Sequence, residues 1–293
     1  MAVVTGAATG LGYATALALA KAGADVVLAG PDELEGFRAV SQIRPMAPAA
    51  LVRFERIDHG SLASVEAFAS RLAHSGHPID LLINHASAAI PADRRVTPEG
   101  FELQLGANFL AHFALTAHLL PVLRRSRKPR IVHVSSLSHR RGSIHFDDLQ
   151  LERAYDPWRA HCQSMLATLM FAQELQRRSD VSNWGLVSVA AHPGNVRPRL
   201  LANGSGPRGL VRRLKSSLGI LLSHSASDGA LSALFAATAP NIQRGGFYGP
   251  SGPFELVGPP DVARLSRKAP DTQNAVRLWE LSEKLTGVRW QKA

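Results

Sequence analysis

The chain contains a single cysteine, Cys162, among 293 residues. That excludes an intrachain disulfide, a four-cysteine zinc site and an iron–sulfur cluster, and a reducing, cytoplasmic setting is the expectation. Long hydrophobic runs are also scarce. The apolar stretches from Tyr13 to Ala20 and from Leu231 to Ala239 fall well short of the roughly 20 residues needed to cross a bilayer, so no membrane span is expected. The opening Met1-Ala2-Val3-Val4-Thr5-Gly6 has no basic segment before its first apolar run, which argues against a secretory signal. Acidic residues are outnumbered 23 to 33 by basic ones, a net charge of +10. The basic residues cluster at Arg124–Arg130 and around Arg208, Arg212, Arg213 and Lys215. Neither cluster sits in a motif that reads bases, so a solvated surface is expected and no nucleic-acid partner. A short amphipathic element from Arg212 to Leu222 is the weaker alternative, touching a membrane or a partner protein.

With 45% hydrophobic and 19% charged residues the composition is globular. Short β-branched runs alternate with amphipathic stretches. The strands are expected at Ala2–Val4, Asp25–Ala29, Leu51–Arg56, Ile79–Asn84, Arg130–Val134 and Leu186–Ala190, and helical patterns lie near 10–22, 61–74, 98–124 and 155–178. This rhythm predicts an α/β fold, a single doubly wound parallel sheet covered on both faces. No repeat, low-complexity tract or linker divides residues 1–293, and the segment 195–222 is expected to be a substrate loop.

The first strand runs directly into Thr5-Gly6-Ala7-Ala8-Thr9-Gly10-Leu11-Gly12, which opens a helix. Glycines placed so permit a tight turn, let backbone approach a pyrophosphate and aim helix N–H groups at negative charge. Further along stand Asp58, Asn84-His85-Ala86-Ser87, Asn108 in Gly106-Ala107-Asn108-Phe109, Ser135-Ser136 and His192-Pro193-Gly194, then Tyr248-Gly249-Pro250 and Leu278–Ser282 near the end. On these motifs the chain resembles, over nearly its whole length, the short-chain dehydrogenase/reductase family, and within it the branch containing retinol dehydrogenases and their bacterial relatives. The resemblance implies a Rossmann-type fold and a dinucleotide site built by Thr5, Gly6, Gly10, Leu11, Gly12, Asp58, Asn84, Pro193 and Gly194. It also implies a small-molecule substrate, and it leaves room for a homo-oligomer joined through the long helices.

The family's signature is Tyr-x-x-x-Lys on a helix, and it occurs nowhere in this chain. Registered on Ser164 and Leu166-Ala167, the tyrosine position holds His161 and the lysine position Met165. Tyr155 lies six residues earlier, about 240° around a helix, and is not expected to substitute. Met165 and Cys162 fall on a stripe with Trp158, Leu169 and Ala172, which reads as core packing. On the cofactor side, Gly30-Pro31-Asp32 and Pro198 stand where relatives place residues that meet the ribose or its phosphate and the carboxamide. Two lost hydrogen bonds would weaken binding by roughly a hundredfold to ten-thousandfold. The expectation is therefore that NAD(P) binding is weakened or lost and that no cofactor is required.

An imidazole titrates near neutrality without help from a lysine. The favoured reading is accordingly non-redox acid/base chemistry on a small carbonyl or hydroxyl compound: dehydration, isomerisation, cyclisation or hydrolysis. His161 would carry the proton, with Ser136 and Asn108 holding the substrate oxygen. Two alternatives stand beside it: a catalytically silent binding protein, and an NAD(P)-dependent oxidoreductase with an unusual active site. No metal site is expected, because His85, His139 and His192 lack ligand spacing.

Overall fold

The computed structural model describes residues 1–196, 223 and 225–290. One eight-stranded sheet runs through it in the order β3-β2-β1-β4-β5-β6-β7-β8. The strands are β1 (Ala2–Thr5), β2 (Val26–Gly30), β3 (Val52–Arg56), β4 (Leu81–Asn84), β5 (Arg130–Val134), β6 (Val187–Ala191), β7 (Phe247–Pro250) and β8 (Pro260–Val262). All neighbours pair in parallel except β8, which runs antiparallel to β7. The central strands are apolar without alternation because helices cover both faces. Helices α1 (Gly10–Lys21), α2 (Glu33–Ile43) and α6 (Ala226–Thr238) close one face over Val4, Leu28, Ile83, Val132 and Val189. Helices α3 (Leu62–His74), α4 (Leu103–Leu123), α5 (Pro157–Val181) and α7 (Thr272–Thr286) close the other over Val3, Val27, Leu82 and Ile131.

The α/β expectation and the six early strands agree with this architecture, each within two residues at its ends. β7, β8, α2, α6 and α7 were not anticipated. The segment expected as a substrate loop lies almost wholly outside the described residues, as do Pro198 and the basic group from Arg208 to Lys215. The expectation about hydrophobic runs needs correction. α4 has 21 residues and a mean hydropathy of 1.3 in its most apolar window, long and apolar enough to cross a membrane, but 83% of that window is buried inside the protein. It is a core helix here, against α3 on one side and α5 on the other. Two members of the Arg124–Arg130 cluster are structural: Arg130 donates to the carbonyls of Ala236 and Ala239 at the end of α6, and Arg125 to that of Gly76 beyond α3.

Strand order reverses between β1 and β4, so the loops leaving their carboxyl ends diverge and open a crevice. Inside α4, residues Gly106–Leu110 form a π-helical stretch. Such bulges turn a side chain out of the regular helical register and recur at functional sites. Here the stretch carries Asn108.

Candidate functional site

The crevice at the ends of β1 and β4 is a cleft of about 460 Å³, walled by Gly6, Leu11, Gly12, Pro31, Asp58, His59 and the segment His85–Ala88 among others. Gly6 has φ +63°, which suits glycine, and a Cβ on it would stand 2.9 Å from the Cα of Ala86. A Cβ on Gly12 would stand 2.2 Å from the carbonyl oxygen of Gly6. Only glycine lets the turn and the start of α1 close so tightly. Thr9 at the start of α1 makes no side-chain cap. By contrast Asp32, Ser61, Asp156, Ser225 and Asp271 each accept a backbone N–H at the starts of α2, α3, α5, α6 and α7, and Glu102 does so for α4. The N–H groups at the start of α1, without a side-chain cap among the described residues and with the helix dipole behind them, suit a pyrophosphate. The residues present therefore fit a dinucleotide. Gly6, Leu11 and Gly12 would take its phosphates, and the wall with Asp58 and His59 its adenosine end.

Thr5 faces away from the cleft and holds its wall. Its hydroxyl oxygen accepts the backbone N–H groups of His85 (2.8 Å) and Ala86 (2.9 Å) and lies 3.2 Å from Nε2 of His112. His112 Nδ1 is 3.0 Å from the backbone oxygen of Asn108. Since a carbonyl only accepts, Nδ1 carries the proton and Nε2 is an acceptor facing the Thr5 hydroxyl, which also lies 3.4 Å from the Ile83 backbone oxygen. Burial holds His112 down at about 4 and His133 at about 3, and it lowers His59 as well, so all three are neutral at pH 7. Asn84 lies beneath the cleft floor, its amide donating to Thr116 (3.0 Å) and facing Nδ1 of His133 (3.3 Å).

The second half of the site lies where α4 meets α5. His161, in the second turn of α5, places Nδ1 3.0 Å from Oε1 of Gln104. That oxygen also accepts the Asn108 amide at 3.0 Å. Asn108 donates in addition to Ser164 Oγ (3.0 Å) and accepts the backbone N–H of Ala88 (2.8 Å) and the hydroxyl of Ser87 (3.3 Å), which itself belongs to the cleft wall. Burial lowers the pKa of His161 below its ordinary value, leaving a neutral base at pH 7. Ser136, at the carboxyl end of β5, accepts the N–H of Ser138 at 3.2 Å. Among the described residues no hydrogen bond joins it to His161 or Asn108. Ser135 turns inward, donating to the backbone oxygen of Met165.

Thus the structure brings His161 and Asn108 together through Gln104, and it places Gly6, Leu11, Gly12 and Asp58 in the cleft wall. Thr5 and Asn84 act from beneath. Gly10 (φ +60°) forms the turn into α1, and Pro193-Gly194 follow β6, the Gly194 N–H donating to His192 Nδ1. Asp32 spends its carboxylate on the cap of α2. Met165, Cys162, Leu169 and Ala172 are core, whereas Trp158 is 47% exposed and rests against the His161 ring at 5.5 Å. It stands in the first turn of α5, at the rim, where the stripe has not yet met the sheet. Tyr155 precedes α5 and donates to Glu102; burial, with the Glu102 carboxylate beside it, pushes its pKa up to about 12. Gln104 and His59 were missed, and Ser87 was named only as the end of the Asn84–Ser87 motif. For Gln104 a signal existed, since a glutamine four residues before Asn108 in a run of Leu, Phe and Ala shares its helix face.

The model of the short chain dehydrogenase family matches residues 1–147. A polyprenol dehydrogenase of Mus musculus is 38% identical over 98% of this chain and 84% of its own length. The chain belongs to the short-chain dehydrogenase family. Retinol dehydrogenase 12 of Homo sapiens is 36% identical over 99% of this chain and 87% of its own. A crystal structure of an uncharacterised protein of Mycobacterium paratuberculosis superposes with a TM-score of 0.81 at 35% identity, over 99% of this chain and 94% of the other. Two expectations fall with these findings. Non-redox acid/base chemistry is overturned because relatives matched over nearly the whole of this chain are named polyprenol and retinol dehydrogenases. The expected weakening or loss of NAD(P), with no cofactor required, is overturned with it, since the dehydrogenases this chain resembles need a hydride acceptor. The physical reason is that the two lost contacts, at Gly30-Pro31-Asp32 and at Pro198, concern side chains, while the glycine cradle and the uncapped α1 N–H groups are supplied by backbone, which side-chain changes leave intact.

Proposed function

We propose that the chain is an NAD(P)-dependent oxidoreductase that interconverts an apolar alcohol and its carbonyl compound, with His161 as the proton carrier. The observation that carries the reading is the unbroken polar chain from His161 through Gln104 and Asn108 to Ser87 in the cleft wall. It ties a base to the dinucleotide site at fixed geometry. In this reading His161 and Met165 occupy the family's tyrosine and lysine positions. The nicotinamide, when bound, takes or gives a hydride. In oxidation the alcohol O–H breaks, its proton passes to the His161 imidazole, and the carbinol C–H pair leaves with the hydride as the C=O bond forms; reduction is the reverse. Ser136, whose hydroxyl proton has no acceptor among the described residues, would donate to the substrate oxygen. A neutral His161 favours the oxidation direction at pH 7 and above. The relatives' names, polyprenol and retinol dehydrogenase, support an isoprenoid-like apolar alcohol, and the exposed Trp158 ring beside His161 offers it a surface.

The test incubates the purified protein with NAD+ or NADP+ and a panel of long-chain primary alcohols, and follows reduced nicotinamide by absorbance. Turnover that His161→Ala abolishes, with dinucleotide binding retained, is the expected result. Absence of turnover with every alcohol and both dinucleotides, or turnover indifferent to His161, overturns the reading.

A further inference from the structure

Gln104 is fully buried in α4, and its amide can point only one way. Nε2 lies 2.9 Å from the backbone oxygen of Ala89 and 3.3 Å from that of Ala88. Carbonyls only accept, so this end must be the NH2. Oε1 therefore faces the opposite side. The neighbouring Asn108 amide is locked in the same manner: its Oδ1 receives the backbone N–H of Ala88, so the end that meets Gln104 Oε1 and Ser164 Oγ is its NH2. Ser164 in turn gives its hydroxyl proton to the backbone oxygen of His161 at 2.9 Å. Two backbone-anchored amides thus leave an acceptor, and nothing else, opposite His161 Nδ1.

From this network we infer that Gln104 is a positioning residue that fixes His161 as the Nδ1–H tautomer and leaves Nε2 as its single basic atom. A change of tautomer would set two lone pairs against each other across the 3.0 Å gap, and a ring flip would put a C–H there in place of the N–H donor, a buried mismatch that costs about 1–3 kcal/mol. Nε2 has no partner among the described residues, so the proton it gains or loses is exchanged with whatever lies against its own side of α5. A neutral amide cannot pass that proton on, which closes the Gln104 side as an exit. The same two amides fasten the π-helical stretch of α4 to the Ser87–Ala89 segment, so the imidazole is registered to the cleft wall.

The inference rests on the proton-carrier reading for its purpose but not for its test. Ring nitrogens of the wild-type protein, 15N-labelled at histidine, report the tautomer directly in long-range 1H–15N spectra, with His161→Gln assigning the signal. A neutral His161 protonated at Nδ1, with only Nε2 shifting as pH changes, is the expected result. A proton on Nε2, or a mixture of tautomers, overturns the assignment whatever the activity. In Gln104→Leu the ring should populate both tautomers, and kcat should fall by about a hundredfold with the dinucleotide KM unchanged. If Gln104→Leu keeps the Nδ1–H tautomer intact, the role assigned to Gln104 is wrong. If wild type shows the Nδ1–H tautomer but no alcohol oxidation, the positioning holds and the proposed function fails.

Discussion

Among the described residues the backbone donors at the amino end of α1 meet no side-chain cap, whereas around His161 the amides of Gln104 and Asn108 and the hydroxyl of Ser164 are all bonded to other protein groups. The two regions suit the two tasks proposed for them. Binding a polyanion needs donors kept free, and α1 lacks the side-chain cap that the other long helices carry. Moving a proton, the role proposed for His161, needs one atom aimed, and saturating everything behind it would aim it. Between them runs a seam in which Thr5 supports the cleft wall and touches His112, which in turn bonds Asn108.

The largest break in that contrast is expected from His161→Ala. Turnover should fall by about a hundredfold to ten-thousandfold, while dinucleotide-dependent thermal stabilisation stays as in wild type. The seam supplies the next. His112 and His133 are held neutral, with pKa values of about 4 and 3, mainly by burial, while in the unfolded chain both titrate near the ordinary histidine value of about 6.5. Below that value the unfolded chain binds more protons. Stability should therefore be complete above about pH 6.5 and decline as pH falls toward 4, by roughly 3 kcal/mol or more, as urea melts at a series of pH values would record. A flat profile over that window would mean these histidines are not neutral in the fold.

Gly12→Ala attacks the cleft at the turn that builds it. Its Cβ would collide with the Gly6 carbonyl, so the stabilisation of about 2.7 kcal/mol given by dinucleotide at a hundredfold its Kd should disappear in thermal melts. The smallest effect is the most discriminating of the caps. Asp271→Ala removes the acceptor for the Asn274 N–H at the start of α7 and should cost about 1 kcal/mol. Thr9→Ala, at the uncapped start of α1, should leave stability without ligand within about 0.5 kcal/mol of wild type.

Much of the frame was legible. β1, β2, β4 and β5 are apolar runs bounded by turn signals, and a strand leading through Gly6, Gly10 and Gly12 into a helix reads as a dinucleotide turn from spacing alone. α6 and α7 were not anticipated because their segments lack the tight alternation with strands that marked the first half. The long apolar run of α4 escaped because Gln104, Asn108, His112 and Thr116 interrupt it, and those interruptions are the polar seam. The site was legible only in part. His161 and Asn108 could be singled out; the spacing of Gln104 could have put it on the Asn108 face, but its role depends on backbone carbonyls of Ala88 and Ala89 brought from another loop. The side-chain losses at Gly30-Pro31-Asp32 and Pro198 were a poor guide to the cofactor for the same reason: the cradle is made of backbone, and residue identities record it only where glycine is required.

The most direct test of redox chemistry at this site is transfer of label. The protein is incubated with NAD(P)+ and a long-chain isoprenoid alcohol deuterated at the carbinol carbon, and the recovered cofactor is weighed by mass spectrometry. The account predicts reduced nicotinamide carrying the deuterium, formed by wild type and not by His161→Ala. Alcohol consumed with the cofactor left oxidised and unlabelled would contradict it.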